Sequence, residues 1–137
     1  MEIEKYLREF ARKWGLGDGC ASIYSSLVAN GKPMDIREIV EKTGYAYSSV
    51  ANYLNTLLKE HLVEKIRYQG KNIYKANFDF VEIIKNERRE LLNNVIIPIK
   101  KEINSKNVKN NYLEELKCMV EEAEKYLKRL VEEDEPK

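Results

Sequence analysis

Four small polar residues, Ser48, Ser49, Asn52 and Thr56, stand within the stretch TGYAYSSVANYLNTLL (residues 43–58), with Tyr47 and Tyr53 beside them. Their chemistry is hydrogen bonding by neutral groups. An asparagine amide donates and accepts in one plane, a hydroxyl does either, and a phenol adds a flat apolar face to a polar tip. Such a set can read a patterned surface, but it cannot attract an anion, because the stretch holds no Lys or Arg. No catalytic set stands elsewhere in the sequence. His61 is the single histidine, Cys20 and Cys118 lack CxxC spacing, and neither a nucleophile–base–acid pattern nor a Gly-rich phosphate loop is present. An enzyme is therefore not expected. One histidine and two separated thiols cannot complete a zinc site within one subunit without carboxylates, so no metal or cofactor is expected and the cysteines are read as reduced thiols.

The elements that position these residues follow from apolar spacing. Ile3, Tyr6, Leu7, Phe10 and Trp14 predict an amphipathic helix over residues 2–14, ended by Gly15 to Gly19. Asp18 is a candidate cap for a second helix carrying Ala21, Ile23, Tyr24, Leu27 and Val28, which Asn30-Gly31-Lys32-Pro33 breaks. Asp35 with Glu38 forms a capping-box pattern before a helix burying Ile36, Ile39 and Val40, and Gly44 suits its left-handed end. After the short turn Tyr45-Ala46, Val50, Leu54, Leu57 and Leu58 form the inner face of a fourth helix. Tyr47, Ser48, Ser49, Asn52, Tyr53, Asn55 and Thr56 are left mostly outward. The period then becomes two: strands over about Val63–Tyr68 and Asn72–Asn77 meet around Gln69-Gly70-Lys71, with Ile66 and Ile73 toward the helices and Lys65, Arg67, Lys71 and Lys75 in solvent.

Charge must come from around the fourth helix, because the net charge is only +1, from 24 basic and 23 acidic residues. Residues 59–77 are locally basic, with Lys59, Lys65, Arg67, Lys71 and Lys75 against Glu60 and Glu64. The order helices, tight helix-turn-helix, basic hairpin is that of a winged helix. The run DIREIVEKTGYAYSSVANYLNTLLKEHLVEKI, followed by a Gly-containing hairpin and KNIYKA, resembles the winged helix-turn-helix of MarR-type transcription regulators, with the GbsR and TrmB branches nearest. The matching residues are Gly44, Ser48, Ser49, Leu54, Leu57 and Leu62-Val63. Two positions depart: Ala46 stands where a Ser or Thr cap is usual, and His61 stands where the family has Gly. The resemblance implies a recognition helix in the major groove of double-stranded DNA. Tyr47, Ser48, Ser49, Asn52, Tyr53 and Thr56 are then the candidates for base or backbone contact, Asn52 foremost for bidentate reading of adenine. Lys32, Arg37, Lys42, Lys59 and the hairpin's Arg67 and Lys71 are candidate phosphate contacts. The neutral face equally suits a winged-helix module that docks a protein without specific DNA readout.

Tyr6, Phe10, Trp14 and Tyr24 line up at helical spacing, as a core face or as the wall of a pocket for an unknown small-molecule effector. From Phe80 the helical period returns with Val81, Ile84, Leu91, Leu92, Val95 and Ile99, and Pro98 is expected to kink or end that helix. A polar connection, Asn104 to Asn111, precedes a last helix opened by Asn111 and Glu114. Its heptad seam is Leu113, Leu116, Val120, Ala123, Leu127 and Leu130, with Tyr112, Met119 and Tyr126 at strict sevens beside it. The expected fold class is thus mainly α with a small β-hairpin. Residues 1–79 form a winged helix-turn-helix domain, and residues 80–137 a helical dimerisation arm that pairs between subunits or folds back as an intramolecular hairpin. The N-terminus, which contains acidic residues and no apolar run, and the absence of any run near 18 apolar residues point to a soluble cytoplasmic protein without signal peptide or membrane span. The sequence is read as that of a homodimeric, operator-specific repressor.

Overall fold

The chain divides into two units, Met1–Phe80 and Val81–Lys137. The computed structural model describes residues 2–105 and 110–135. Helix α1 (Glu2–Arg12) buries Leu7 and Ala11. Ile3 and Tyr6, predicted on the inner face, are 52% and 65% exposed. Helix α2 (Asp18–Asn30) has Gly17 as its N-cap, with no side-chain cap. Asp18 is instead its first residue, and its carboxylate accepts from Arg12 at 2.8 and 3.2 Å. This helix is the centre of the unit, burying Cys20, Ala21, Ile23, Tyr24, Ser25 and Leu27 as it packs on α1, on the helices that follow and on the hairpin.

Helix α3 (Ile36–Thr43) opens on the expected capping box. The Glu38 amide donates to Asp35 Oδ1 at 2.9 Å and the Asp35 amide to Glu38 Oε1 at 3.3 Å. Gly44 closes it at φ +76°, a region where a side chain would be strained. Helix α4 (Tyr47–Lys59) begins directly after Ala46, which supplies no side-chain cap, so neither serine that follows replaces it. The inner face of α4 is Val50, Leu54 and Leu57, the last fully buried. His61 adopts φ +61° just beyond this helix, the left-handed conformation that explains why glycine is usual there.

The hairpin joins β1 (Val63–Tyr68) to β2 (Lys71–Ala76) through Gln69 and Gly70, both at positive φ, the geometry that matches strand twist in a two-residue turn. Its register sets Val63 opposite Ala76, Lys65 opposite Tyr74 and Ile66 opposite Ile73. The inward face is therefore that of Val63, Tyr74 and Ala76. The expectation for Ile66 and Ile73 is corrected: Ile66 is 38% exposed and Ile73 half-buried. The cause is non-local. Met34 pairs with Tyr74 through two backbone hydrogen bonds, of 3.0 and 2.8 Å, and this ties β2 face-down to the chain before α3.

In the second unit, α5 (Phe80–Leu91) runs through a π-helical turn (Leu92–Ile96) into α6 (Ile97–Ser105). Pro98 does not end this run. The wider turn just before it falls where the proline lacks an amide and crowds the preceding turn. Ile83 and Leu92 are buried, whereas Val81, Ile84, Leu91, Val95 and Ile99 are 37–63% exposed, so most of the expected apolar positions face outward. Helix α7 (Asn111–Asp134) is capped by Asn110, one residue earlier than expected, whose Oδ1 accepts from the Leu113 amide at 2.8 Å. It packs on α6 and the π turn. Val120 and Leu127 are buried there, Leu113 and Leu130 are half-buried, and Leu116 is exposed. Glu124, not an apolar residue, completes the inner face; Lys100 donates to it at 2.9 Å and holds its carboxyl below the usual range. Lys106 to Lys109 of the expected connection lie outside the described residues. Among the described residues no helix is long and apolar enough to cross a membrane.

Candidate nucleic-acid interface

Burying Val50, Leu54 and Leu57 turns the opposite side of α4 to solvent. Ser48, Asn52, Asn55 and Lys59, at steps of four, three and four, make one exposed line with Thr56 beside it. Asn55 thus joins the candidate set. Its spacing of three from Asn52 and seven from Ser48 was the available signal. Thr56 donates its hydroxyl to the Asn52 carbonyl at 3.2 Å, which leaves its oxygen to accept from outside. Ser49 is half-buried and Tyr47, at the helix start, is 60% exposed.

Tyr53 has a different setting. Its ring meets Tyr45 edge-on at 5.7 Å and lies against Gly19, where an added methyl group would collide with the ring carbons. Its carbonyl accepts from the Cys20 thiol at 3.8 Å, and burial pushes that thiol's pKa up. Tyr53 spends its ring in docking α4 on the start of α2. Deeper in the unit, the buried Tyr24 hydroxyl donates to the Asn77 carbonyl at 2.9 Å, and burial pushes its pKa up to about 12. The Asn77 side chain donates to the His61 carbonyl at 2.9 Å. Together these bonds tie the turn after α4, the end of the hairpin and α2 to one another. In the aromatic set, Phe10 touches Trp14, Tyr24 and Phe80 at centroid distances of 4.7, 6.0 and 4.8 Å, while Tyr6 stands outside in solvent.

The missing cations of α4 stand beside its first residue. A cleft of about 340 Å³ is lined by Asp35, Arg37, Tyr47, Lys71, Asn72 and Tyr74, so one cation from α3 and one from the hairpin flank Tyr47. Burial and the neighbouring Tyr47 push the Tyr74 pKa up. Along the hairpin, Arg67 donates to Asn72 Oδ1 at 3.1 Å, a bond across the strands that holds the guanidinium in place. Lys32 and Lys42 lie apart from this cleft. They line a second concavity with Asn30, Glu38 and Glu41, and Lys42 donates to Asn30 at 3.2 Å. Lys59 ends the exposed line of α4. The arrangement thus offers neutral groups that read hydrogen-bond patterns and fixed cations beside them that can meet phosphates.

Comparison with known proteins agrees with this architecture. Residues 11–78 match the model of the family described as "Sugar-specific transcriptional regulator TrmB". A solved structure of a transcriptional regulator is similar over 97% of this chain and 95% of its own, with a TM-score of 0.66 at 11% identity. The ST1889 protein of the thermoacidophilic archaeon Sulfolobus tokodaii is similar over 66% of this chain and 97% of its own, with a TM-score of 0.52 at 23% identity. At these identities the structures bear on the fold alone. No curated protein matches the chain.

Proposed function

We propose, on the premise that residues 11–78 form a winged-helix domain of the TrmB family of transcriptional regulators, that the chain is a homodimeric repressor of pseudo-palindromic operators in double-stranded DNA. The carrying observation is the division of labour around α4. Its exposed Ser48, Asn52, Asn55 and Thr56 are neutral, with Lys59 only at the far end of the helix, while Arg37 and Lys71 flank Tyr47 in the adjoining cleft. A helix in the major groove reads base edges through amides and hydroxyls, and an asparagine pairs with adenine through two hydrogen bonds. Cations on neighbouring elements contribute affinity without sequence preference. In a two-fold dimer the two recognition helices would meet half-sites about 10 bp apart.

Selection of bound fragments from random DNA tests this directly, with an inverted repeat as the expected outcome. Arg67→Ala and Lys71→Ala should weaken binding to every sequence, whereas Asn52→Ala should flatten the ranking of operator variants, a loss of roughly 1–3 kcal/mol of discrimination at one base pair. An unchanged ranking removes Asn52 from the reading set. The neutral face also favours a second function, docking of a protein partner. In that case no fragment would be enriched and the partner's binding would respond little to salt.

A further inference from the structure

We infer that the second copy of this chain is held through a stripe of α7 distinct from the face that packs within the chain, and that the two α7 helices run antiparallel across it. The inner face of α7 is Leu113, Lys117, Val120, Glu124, Leu127 and Val131, all buried or half-buried. About 100° round the helix lies a second apolar line, Tyr112, Leu116, Met119, Ala123, Tyr126 and Leu130, spaced four, three, four, three and four, which is a heptad repeat of its own. Four of its members are open to solvent, Tyr112 at 85% exposed, Met119 at 53%, Tyr126 at 55% and Leu116 at 43%, while Ala123 and Leu130 are half-buried. A stripe of this length and regularity fits another helix with the same period.

Charge and size decide which helix and which direction. One flank of the stripe is the inner face, already occupied by α6; the other carries Glu115, Glu122 and Arg129, with the Arg129 guanidinium 5.4 Å from the Tyr126 ring centre. A two-fold axis crossing α7 near Glu121 places Tyr112 against Leu130 of the second copy, Leu116 against Tyr126, and Met119 against Ala123. Each layer then joins positions of unequal size, and every pairing occurs twice, as an isologous interface requires. The same register brings Glu115 beside Arg129 of the second copy on both sides, leaving the two Glu122 carboxylates facing each other in the middle. A parallel pair would set the charged flank of one helix against the apolar, α6-covered flank of the other and lose both ion pairs.

This assignment rests on the homodimer proposed above, and sedimentation equilibrium of the full chain separates the two. Wild type should be dimeric. Met119→Glu should raise the dimer dissociation constant at least tenfold with an unchanged circular dichroism spectrum, and Glu122→Gln should lower it. For direction, a Cys118→Ser background carries either Met119→Cys or Ala123→Cys, with Cys20 left buried. Mixed chains should form a disulfide dimer on oxidation that neither variant forms alone. A monomeric wild type overturns the homodimer and the stripe together. A dimer that persists in Met119→Glu overturns the stripe alone, and cross-linking of Met119→Cys with itself overturns the antiparallel direction.

Discussion

The two units of this chain differ in how completely each covers its own apolar residues. In the first, Ala21, Ile23, Tyr24, Ile39, Val50, Leu57 and Leu62 are wholly buried. In the second, only Ile83 is covered to nearly that degree among the described residues, while Tyr112, Met119, Tyr126, Val81 and Val95 are 43–85% exposed. The first unit has a hairpin and three other helices to close around α2, whereas the second has two helical runs, each of which can cover only one side of the other. A pair of helices leaves each partner with an open flank, and in the proposed dimer that flank is the surface a second copy would cover. The contrast separates a closed folding unit, which carries the proposed reading groups, from one that leaves apolar side chains open.

The largest expected effect separates the units cleanly. Leu57→Ala, in the fully closed core, should destabilise the chain by about 2–5 kcal/mol in urea unfolding. Leu116→Ala, 43% exposed, should change the unfolding of a monomer by under about 1 kcal/mol and should weaken association instead. Equal losses at the two sites would break the contrast. Next, Gly19→Ala forces the Tyr53 ring from its place between α2 and α4. About 1–3 kcal/mol of stability should be lost, together with DNA affinity, as seen by thermal unfolding and a binding titration.

A smaller effect tests the buried Tyr24. Tyr24→Phe removes the donor to the Asn77 carbonyl and should cost about 1–2 kcal/mol. The wild-type phenol keeps its proton in the folded chain up to about 12 but releases it near the ordinary tyrosine value of about 10 when unfolded. Stability should therefore be full below pH ~10 and fall as pH rises from there through ~12. The phenylalanine variant should lose the share of this slope that Tyr24 contributes. The smallest effect is a gain. His61→Gly relieves the φ +61° strain but gives the unfolded chain more freedom, so the net stabilisation should be no more than about 1 kcal/mol, measured as a shift in denaturant midpoint.

Local signals in the sequence carried much of this fold. The Asp35–Glu38 capping box, the left-handed Gly44 and the uncapped start at Ala46 are decided within a few residues, and they stand as the spacing implied. The hairpin's inward face was not legible, because its alternation allows either face and the choice is made by Met34 pairing with Tyr74, forty residues apart. The inner face of α7 was hidden for a different reason. Pattern reading sends charges outward, yet Glu124 turns inward because Lys100 meets it. In the candidate interface, the outward residues of α4 were legible from their period. Tyr53 was not distinguishable from them, since its packing depends on the absence of a side chain at Gly19, thirty-four positions earlier.

The central claim is that α4 reads DNA with neutral groups while cations from α3 and the hairpin hold the phosphates. The most direct measurement is the salt dependence of binding to the selected operator, for wild type, Lys71→Ala and Asn52→Ala. Log affinity should fall linearly with log salt, with a slope of about −0.9 per phosphate neutralised. Lys71→Ala should make that slope shallower by about 0.9 for each phosphate that Lys71 neutralises in the complex. Asn52→Ala should keep the wild-type slope and lose only discrimination. Binding indifferent to salt, or a slope unchanged by Lys71→Ala but reduced by Asn52→Ala, would contradict the account.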